Sequence, residues 1–150
     1  WHEEVMLPNL EIGLERSGRT WKDLDLGGYG FIGCATTDAG IDKVVKGLKE
    51  RVALYASTPE YKEMLSMHGW TVSQEDFAAL TRENKWEEMG NLVSDKMLEA
   101  YAVIAKPEDL PAMLKRRYGG KVNRIQIDET WFDGVSDEQT EKLVAQIKNI

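Results

Sequence analysis

Apolar residues recur at helical spacing along much of the chain and predict its helices. Met6, Leu10 and Leu14 predict an amphipathic helix that begins close to Pro8 and ends near Ser17. A longer helix follows residue 38, with one face formed by Ile41, Val44, Val45, Leu48, Val52 and Tyr55. The helical pattern therefore accounts for the two longest amphipathic segments in the first third of the chain.

Shorter helices are predicted over residues 57–93, which form a helical insert. Ser57 and Glu60 match a capping box before a short helix that ends near His68. Ser73 can cap a second helix, and further turns follow around Trp86. Beyond the insert, helices are expected from Ser94 or Asp95, from Glu108 or Asp109 to Gly119, and from Ser136, with Leu143, Ile147 and Ile150 on one face of the last.

Two segments read as strands because apolar and β-branched residues cluster in them. They are Leu24–Ala35 and Val122–Ile127, whereas Ala100–Ala105 fits either a strand or a helix end. Strands that alternate with helices indicate parallel β/α units, so we expect the two strands to lie side by side and parallel. Two strands leave exposed sheet edges, which predicts neighbouring strands in a larger fold, or self-association into a homo-oligomer.

Composition and charge narrow the classes of partner. The 150 residues are 42% hydrophobic and 30% charged, with a net charge of −7, which is typical of a globular domain. An acidic chain does not favour nucleic acid, and no apolar run is long enough to predict a membrane span. Cys34 is the only cysteine, which predicts a reducing cytoplasmic location, and the distant His2 and His68 do not suggest a metal site.

Several short motifs together resemble a known family. They are Leu54–Tyr61, Leu65–Trp70, Trp86–Met89, Ala102–Glu108 and Arg117–Gly120. In this order they resemble the C-terminal third of luciferase-like monooxygenase family proteins, in the deazaflavin-dependent branch. The resemblance covers most of the chain, from Trp1 to about Ile127. Because the pattern starts within a helix at Trp1, we expect that more sequence precedes it.

The resemblance implies a fold and an activity. Leu24–Ala35 and Val122–Ile127 would be strands seven and eight of a (β/α)8 TIM barrel, so the chain would be a C-terminal part of that α/β fold. Family members are oxidoreductases that transfer a hydride between a small organic substrate and the deazaflavin coenzyme F-420, or alternatively flavin mononucleotide (FMN). The resemblance places the ring pocket and the phosphate loop before Trp1, so no catalytic residue is assigned here and the fragment alone is expected to be inactive.

Candidate substrate-pocket residues follow from the rule that barrel active sites lie at the carboxyl ends of strands. Thr36, Thr37 and Asp38 follow the first predicted strand, and Asp128 and Glu129 follow the second. The simpler interpretation is that Thr37 and Asp38 cap a helix and that the other two acids lie in a solvated loop.

A second candidate is the aromatic cluster of Tyr61, His68 and Trp70. A histidine beside aromatic rings could orient a substrate, but the same residues could simply pack a short helix against the barrel. Gly28, Gly30 and Gly33 match G-x-G-x-x-G, yet they fall within the predicted strand rather than in the turn that a dinucleotide site needs.

The charged helix positions have simpler explanations. Glu87, Glu88 and Glu138 are expected on solvated faces, and Lys115–Arg117 on the last turns of a helix, where it complements the dipole. Two rival interpretations of the chain stay open. One is a free-standing α/β interaction module whose residues 57–93 contact a partner chain, and the other is a structural remnant without activity.

Overall fold

A parallel sheet of three short strands organises the chain. The computed structural model describes residues 2–28 and 30–148. Its strands are β1 (Phe31–Ala35), β2 (Ala102–Ala105) and β3 (Phe132–Asp133), in the order β2-β1-β3. Phe31 lies opposite Ala102, and Cys34 lies opposite Phe132. The fold is therefore α/β, as predicted, with a small sheet among many helices.

Eight α-helices surround this sheet in the described part of the chain. They are α1 (Leu7–Ser17), α2 (Asp38–Ala56), α3 (Lys62–Met67), α4 (Gln74–Arg82), α5 (Trp86–Asn91), α6 (Asp95–Tyr101), α7 (Leu110–Tyr118) and α8 (Asp137–Ile147). A π-helical turn, His2–Met6, precedes α1, and short 3-10 turns span Trp21–Asp23, Pro59–Tyr61 and Glu129–Trp131. The predicted helices are confirmed in number and approximate position, while Ile150 lies outside the described residues.

Hydroxyl caps set several helix starts, because a side-chain oxygen can accept an otherwise unpaired amide hydrogen. Thr37 accepts a hydrogen bond from the amide of Gly40 at the start of α2. Ser73, Ser94 and Ser136 cap α4, α6 and α8 in the same way. The predicted capping box of Ser57 and Glu60 is wrong, because the Ser57 hydroxyl donates to the carbonyl of Leu54 at 2.7 Å.

The two faces of the sheet support separate cores, since side chains alternate along a strand. On one face Ala35 and Ala102 pack with α2 and the helices up to α6, where Leu48 and Phe77 are fully buried. On the other face, Ile32, Cys34 and Val103 pack against α7 and α8. The helices of the insert therefore belong to one side of the sheet.

The predicted strand boundaries need correction. Within Leu24–Ala35 the strand begins only at Phe31. Gly30 has a positive φ of 95°, which is not an extended-strand conformation. Val122–Ile127 is not a strand: it meets the first segment in a single parallel bridge between Gly27 and Arg124. The two segments do run side by side and parallel there, but the regular ladder to β1 begins only at Phe132.

The segment predicted as either helix end or strand proves to be both. Helix α6 ends at Tyr101 and β2 begins at the next residue. Along the chain, β2 comes between β1 and β3, whereas in the sheet β1 lies between β2 and β3. Periodicity could not reveal this arrangement, because four residues are too few to distinguish a buried strand from a helix end.

Candidate functional site

The carboxyl ends of the strands carry charged groups that pair with one another. Lys106, which follows β2, binds Asp38 with an Nζ–Oδ1 distance of 2.8 Å. Asp133, at the end of β3, pairs with Lys43 of α2. Thr36 donates its hydroxyl hydrogen to the carbonyl of Gly134 at 3.3 Å. The polar groups at this edge therefore satisfy each other.

The amino end of α2 also lies at this edge, and protein oxygens cover it. The Thr37 hydroxyl accepts a hydrogen bond from the amide of Gly40 at 3.0 Å. The Asp133 carboxylate lies so close that a Cβ added to Gly40 would sit 2.9 Å from its Oδ2 atom. An anion such as phosphate would have to displace a carboxylate here, and the interpretation of Thr37 as a helix cap is confirmed.

Asp128 does not lie at the predicted rim. It precedes β3 and caps the Glu129–Trp131 turn, accepting a hydrogen bond from the amide of Thr130 at 3.0 Å. Hydrogen bonds from the hydroxyl and then the amide of Thr130, together with the charge of Arg51 on α2, lower the pKa of Asp128. The expectation was wrong because the segment before Asp128 is not a strand.

A cavity of about 790 Å³ lies at the opposite, amino ends of the strands. Phe31 begins β1 and Tyr101 directly precedes β2, and both line it. The π-helical turn contributes Glu4, and the segment after α2 contributes Tyr61 and His68. Two of the predicted pocket residues are thus brought together, although at the other end of the sheet.

Aromatic rings form much of the cavity wall. Tyr55 lies 6.0 Å from Phe31 and 5.7 Å from Tyr61, measured between ring centroids. The Arg51 guanidinium lies 5.3 Å from the ring centroid of Tyr55. Burial raises the pKa of the Tyr101 hydroxyl to about 12, so that side chain stays protonated at neutral pH.

The third predicted residue, Trp70, is not among the cavity-lining residues but contacts two of them, His68 and Tyr101. Its ring stacks on His68 with centroids 4.3 Å apart and an angle of 9° between the planes. Trp70 also lies 6.0 Å from Tyr101 and packs against the core beside α2. Trp70 therefore packs against the core of the chain, and its ring also contacts His68 at the cavity.

The ionisable groups around the cavity are mainly acidic. Burial lowers the pKa of both His2 and His68, which favours their neutral forms. Glu3 pairs with Lys121, whereas Glu4 makes no ion pair among residues 2–28 and 30–148, and its charge is close enough to oppose the shift at His68. Glu4 is therefore an acidic group at the cavity, whereas the positive charges of Lys121 and Arg117 contribute to the lowered pKa of His2.

Arg117 is a positive group at the cavity, but backbone oxygens surround it. Its guanidinium donates to the carbonyls of Glu99 at 2.7 Å and Ala102 at 3.2 Å, and also to that of Ala100. These carbonyls lie where α6 ends and β2 begins. Arg117 lies in the last turn of α7, as predicted, and it also caps the end of α6.

Sequence reasoning missed Phe31, Tyr55 and Tyr101 as cavity residues. The barrel rule directs attention to the carboxyl ends of strands, and these three side chains lie at the amino ends. Phe31 begins β1 and Tyr101 directly precedes β2, but the sequence revealed neither strand start. Only the tertiary structure shows that the C-terminal end of α2 places Tyr55 beside Phe31.

The remaining sequence motifs have structural explanations. Gly33 lies in β1 against α2, and a Cβ on Gly30 would lie 2.5 Å from the carbonyl oxygen of Tyr101, so close backbone packing accounts for both. Burial raises the pKa of the Cys34 thiol to about 11, so that the thiolate nucleophile is scarce at neutral pH. Glu87 is exposed and pairs with Lys46.

Two further searches cover the described ranges only. Within residues 2–28 and 30–148, no three His, Cys, Asp or Glu side chains lie close enough together to hold a metal ion. No helix in those ranges combines the length and the apolar character that crossing a bilayer requires.

The fold and site define a helix-rich α/β chain with a parallel sheet and an aromatic cavity, and three mycobacterial proteins are similar to it. The chain is 32% identical over 122 residues to the uncharacterized proteins Mb1395 of Mycobacterium bovis and MT1405 and Rv1360 of Mycobacterium tuberculosis. The match covers 81% of this chain and 36% of each relative, so the chain spans about a third of the length of the curated relatives it matches. No family model matches the chain.

Proposed function

We propose that the protein containing this chain is a luciferase-like oxidoreductase that transfers a hydride between the deazaflavin coenzyme F-420, or alternatively FMN, and a small organic substrate. The chain would supply the C-terminal β/α units of a TIM barrel. The observation that carries the proposal is the series of motifs from Leu54 to Gly120, which in this order resembles this family.

The connections between strands and helices support that proposal. Each of the three parallel strands leads into a helix, namely β1 into α2 on one face of the sheet, and β2 into α7 and β3 into α8 on the other. The β/α unit is the repeating element of a barrel. A sheet of three strands has two open edges, and further strands would cover them in a longer protein.

The residues of this chain do not fit the cofactor by themselves. The charged groups at the carboxyl edge are paired, and the Thr37 and Asp133 oxygens cover the amino end of α2. Neither feature offers a phosphate or a flavin ring free polar partners. The proposal therefore assigns the cofactor to other parts of the full-length protein, and no catalytic step is assigned to a residue here.

The test is cofactor binding by the full-length protein and by residues 1–150 alone. We expect the full-length protein to bind deazaflavin or FMN and to reduce or oxidise it with an organic substrate, as followed by the absorbance of the cofactor. The fragment should show no binding in the micromolar range. A full-length protein that binds neither cofactor would overturn the function, and tight binding by the fragment would overturn the division of the site.

The alternative is an interaction module without catalysis. One observation favours it: Met67 and Trp86, both in the helical insert, are 45% and 44% exposed despite their size. Exposed apolar side chains can mark a contact surface. Replacing both with glutamine would weaken assembly with a partner chain in this case, whereas cofactor binding by the full-length protein would be unchanged.

A further inference from the structure

We propose that the cavity at the amino ends of the strands binds a small organic cation with an aromatic body, of the arylalkylammonium class. Its volume of about 790 Å³ falls within the range of roughly 300–1,000 Å³ that is usual for small-molecule sites. The rim and the wall of the cavity come from different parts of the chain: the π-helical turn, the strand starts and the segment after α2.

The wall suits an aromatic body. Phe31, Tyr55 and Tyr61 follow one another at centroid distances of 6.0 and 5.7 Å, with rings tilted rather than parallel. Tilted rings at this spacing are the arrangement that aromatic side chains prefer, so a ligand ring can extend the series without rearrangement. Tyr101 adds a fourth ring on the side of β2.

The same wall suits a positive charge. The Arg51 guanidinium already lies 5.3 Å from the centroid of Tyr55, so this ring has a cation beside it in the protein itself. An ammonium group gains from such a ring because the ring face is electronegative. A ligand cation in the cavity would find the same type of partner in Tyr61 and Tyr101.

Acidic side chains outnumber basic ones in the lining of the cavity. Glu3, Glu4 and Glu99 line it, and Arg117 is its basic counterpart among the ionised lining residues. The Arg117 guanidinium already donates to three carbonyl oxygens, and Glu4 makes no ion pair within the described part of the chain. An ammonium group near Glu4 would therefore add a favourable charge interaction, which a carboxylate at the same place would not.

The site is separate from the proposed oxidoreductase activity. Barrel enzymes carry out their chemistry at the carboxyl ends of the strands, and this cavity lies at the amino ends. Ligand binding here can thus be measured whether or not the protein binds deazaflavin or FMN. A negative result in one experiment leaves the other interpretable.

Three probes of similar size and different charge test the selectivity: 2-phenylethylammonium, 2-phenylethanol and 3-phenylpropionate. Binding to the full-length protein is detected by ligand-observed saturation-transfer NMR, and dissociation constants are measured by calorimetry. We expect the cation to bind at least about fivefold more tightly than the alcohol, and the anion to bind least. Equal affinities for the three probes, or no binding of the cation at 10 mM, would overturn the proposal.

Variants then locate the site. Glu4→Gln should weaken binding of the cation by about fivefold and leave the alcohol unchanged, since it removes charge and keeps shape. Glu141→Gln, on the exposed surface of α8, is the matched control and should have no effect on either probe. Tyr61→Leu should weaken binding of the cation while the far-ultraviolet circular dichroism stays that of the parent. If Glu4→Gln and Glu141→Gln lower the affinity equally, the cation responds only to the overall acidity of the protein and the site assignment is wrong.

Discussion

Gly33 lies at the close contact between strand β1 and helix α2, where the methyl group of an alanine would be too close to its neighbours. A Cβ added there would lie 2.6 Å from Cγ1 of Val44 and 3.2 Å from Cδ1 of Leu48. Val44 cannot turn away easily, because a β-branched side chain in a helix is held in one main rotamer. Gly33 therefore permits this packing distance.

We expect Gly33→Ala to lower the free energy of unfolding by about 1–3 kcal/mol, which is the usual cost of overpacking a core. Urea denaturation measures the change. Gly13→Ala in α1 is the control: no atom lies within 4 Å of its added Cβ, so the variant should gain roughly 0.5–1 kcal/mol from the better helix former. A neutral Gly33→Ala would show that α2 can move away from the sheet.

Arg117 gives a second prediction at the same scale. Its guanidinium joins α7 to the end of α6 through the carbonyls of Glu99, Ala100 and Ala102. We expect Arg117→Met to cost about 1.5–3 kcal/mol of unfolding free energy, since the hydrogen bonds involve a charged donor. The neighbouring exposed Arg116→Met should change it by less than about 0.5 kcal/mol, and similar losses for both would contradict the capping role.

Among the secondary-structure elements, the helix starts depend on local hydroxyl caps. Ser73 accepts from the amide of Asp76 at 3.2 Å, and the Asp76 carboxylate accepts from the amide of Ser73 at 2.8 Å. This reciprocal pair is a full capping box. Ser57 stands in a similar sequence context, but it is the C-cap of α2 with a helical backbone, and its hydroxyl donates to the carbonyl of Leu54.

These two serines provide a matched comparison. We expect Ser73→Ala to lower the free energy of unfolding by about 1 kcal/mol through loss of the cap, and Ser57→Ala to change it by less than about 0.5 kcal/mol. Thermal or urea denaturation of both variants measures the difference. A larger loss of unfolding free energy for Ser57→Ala than for Ser73→Ala would support the capping role that the sequence predicts for Ser57.

For the whole molecule, the ionisable groups predict two steps of acid destabilisation. Burial lowers the pKa of His2 and His68, so the unfolded chain binds protons more readily and stability falls as the pH drops below the ordinary histidine value of 6.5. Hydrogen bonds and ion pairs lower the pKa of carboxyls such as Asp38 and Asp76. Their contribution is present above the ordinary aspartate value of 3.8 and is lost as the pH falls through the lowered values.

Denaturant midpoints measured from pH 7 to pH 3 check this order. The double variant His2→Asn and His68→Asn should lose the first step and keep the second, because asparagine does not titrate. A first step of unchanged size in that variant would show that other groups titrate between pH 6.5 and 5.

The sequence by itself determined the helices, most of their starts and the parallel α/β class. Helical periodicity and hydroxyl caps are local properties, so the residues within one or two turns suffice to predict α2, α4 and α8. It also brought attention to Tyr61, His68 and Trp70, because aromatic residues in a short segment are visible without a fold.

Only the tertiary structure decided which strands pair and where the cavity lies. β2 was undecided in the sequence because four apolar residues have no distinctive period, and Val122–Ile127 was mistaken for a strand because β propensity depends on the partner it finds. The cavity unites Glu4, Phe31, Tyr61 and Tyr101, which are far apart along the chain. Contacts of this kind arise when helices pack on a sheet, and no local pattern encodes them.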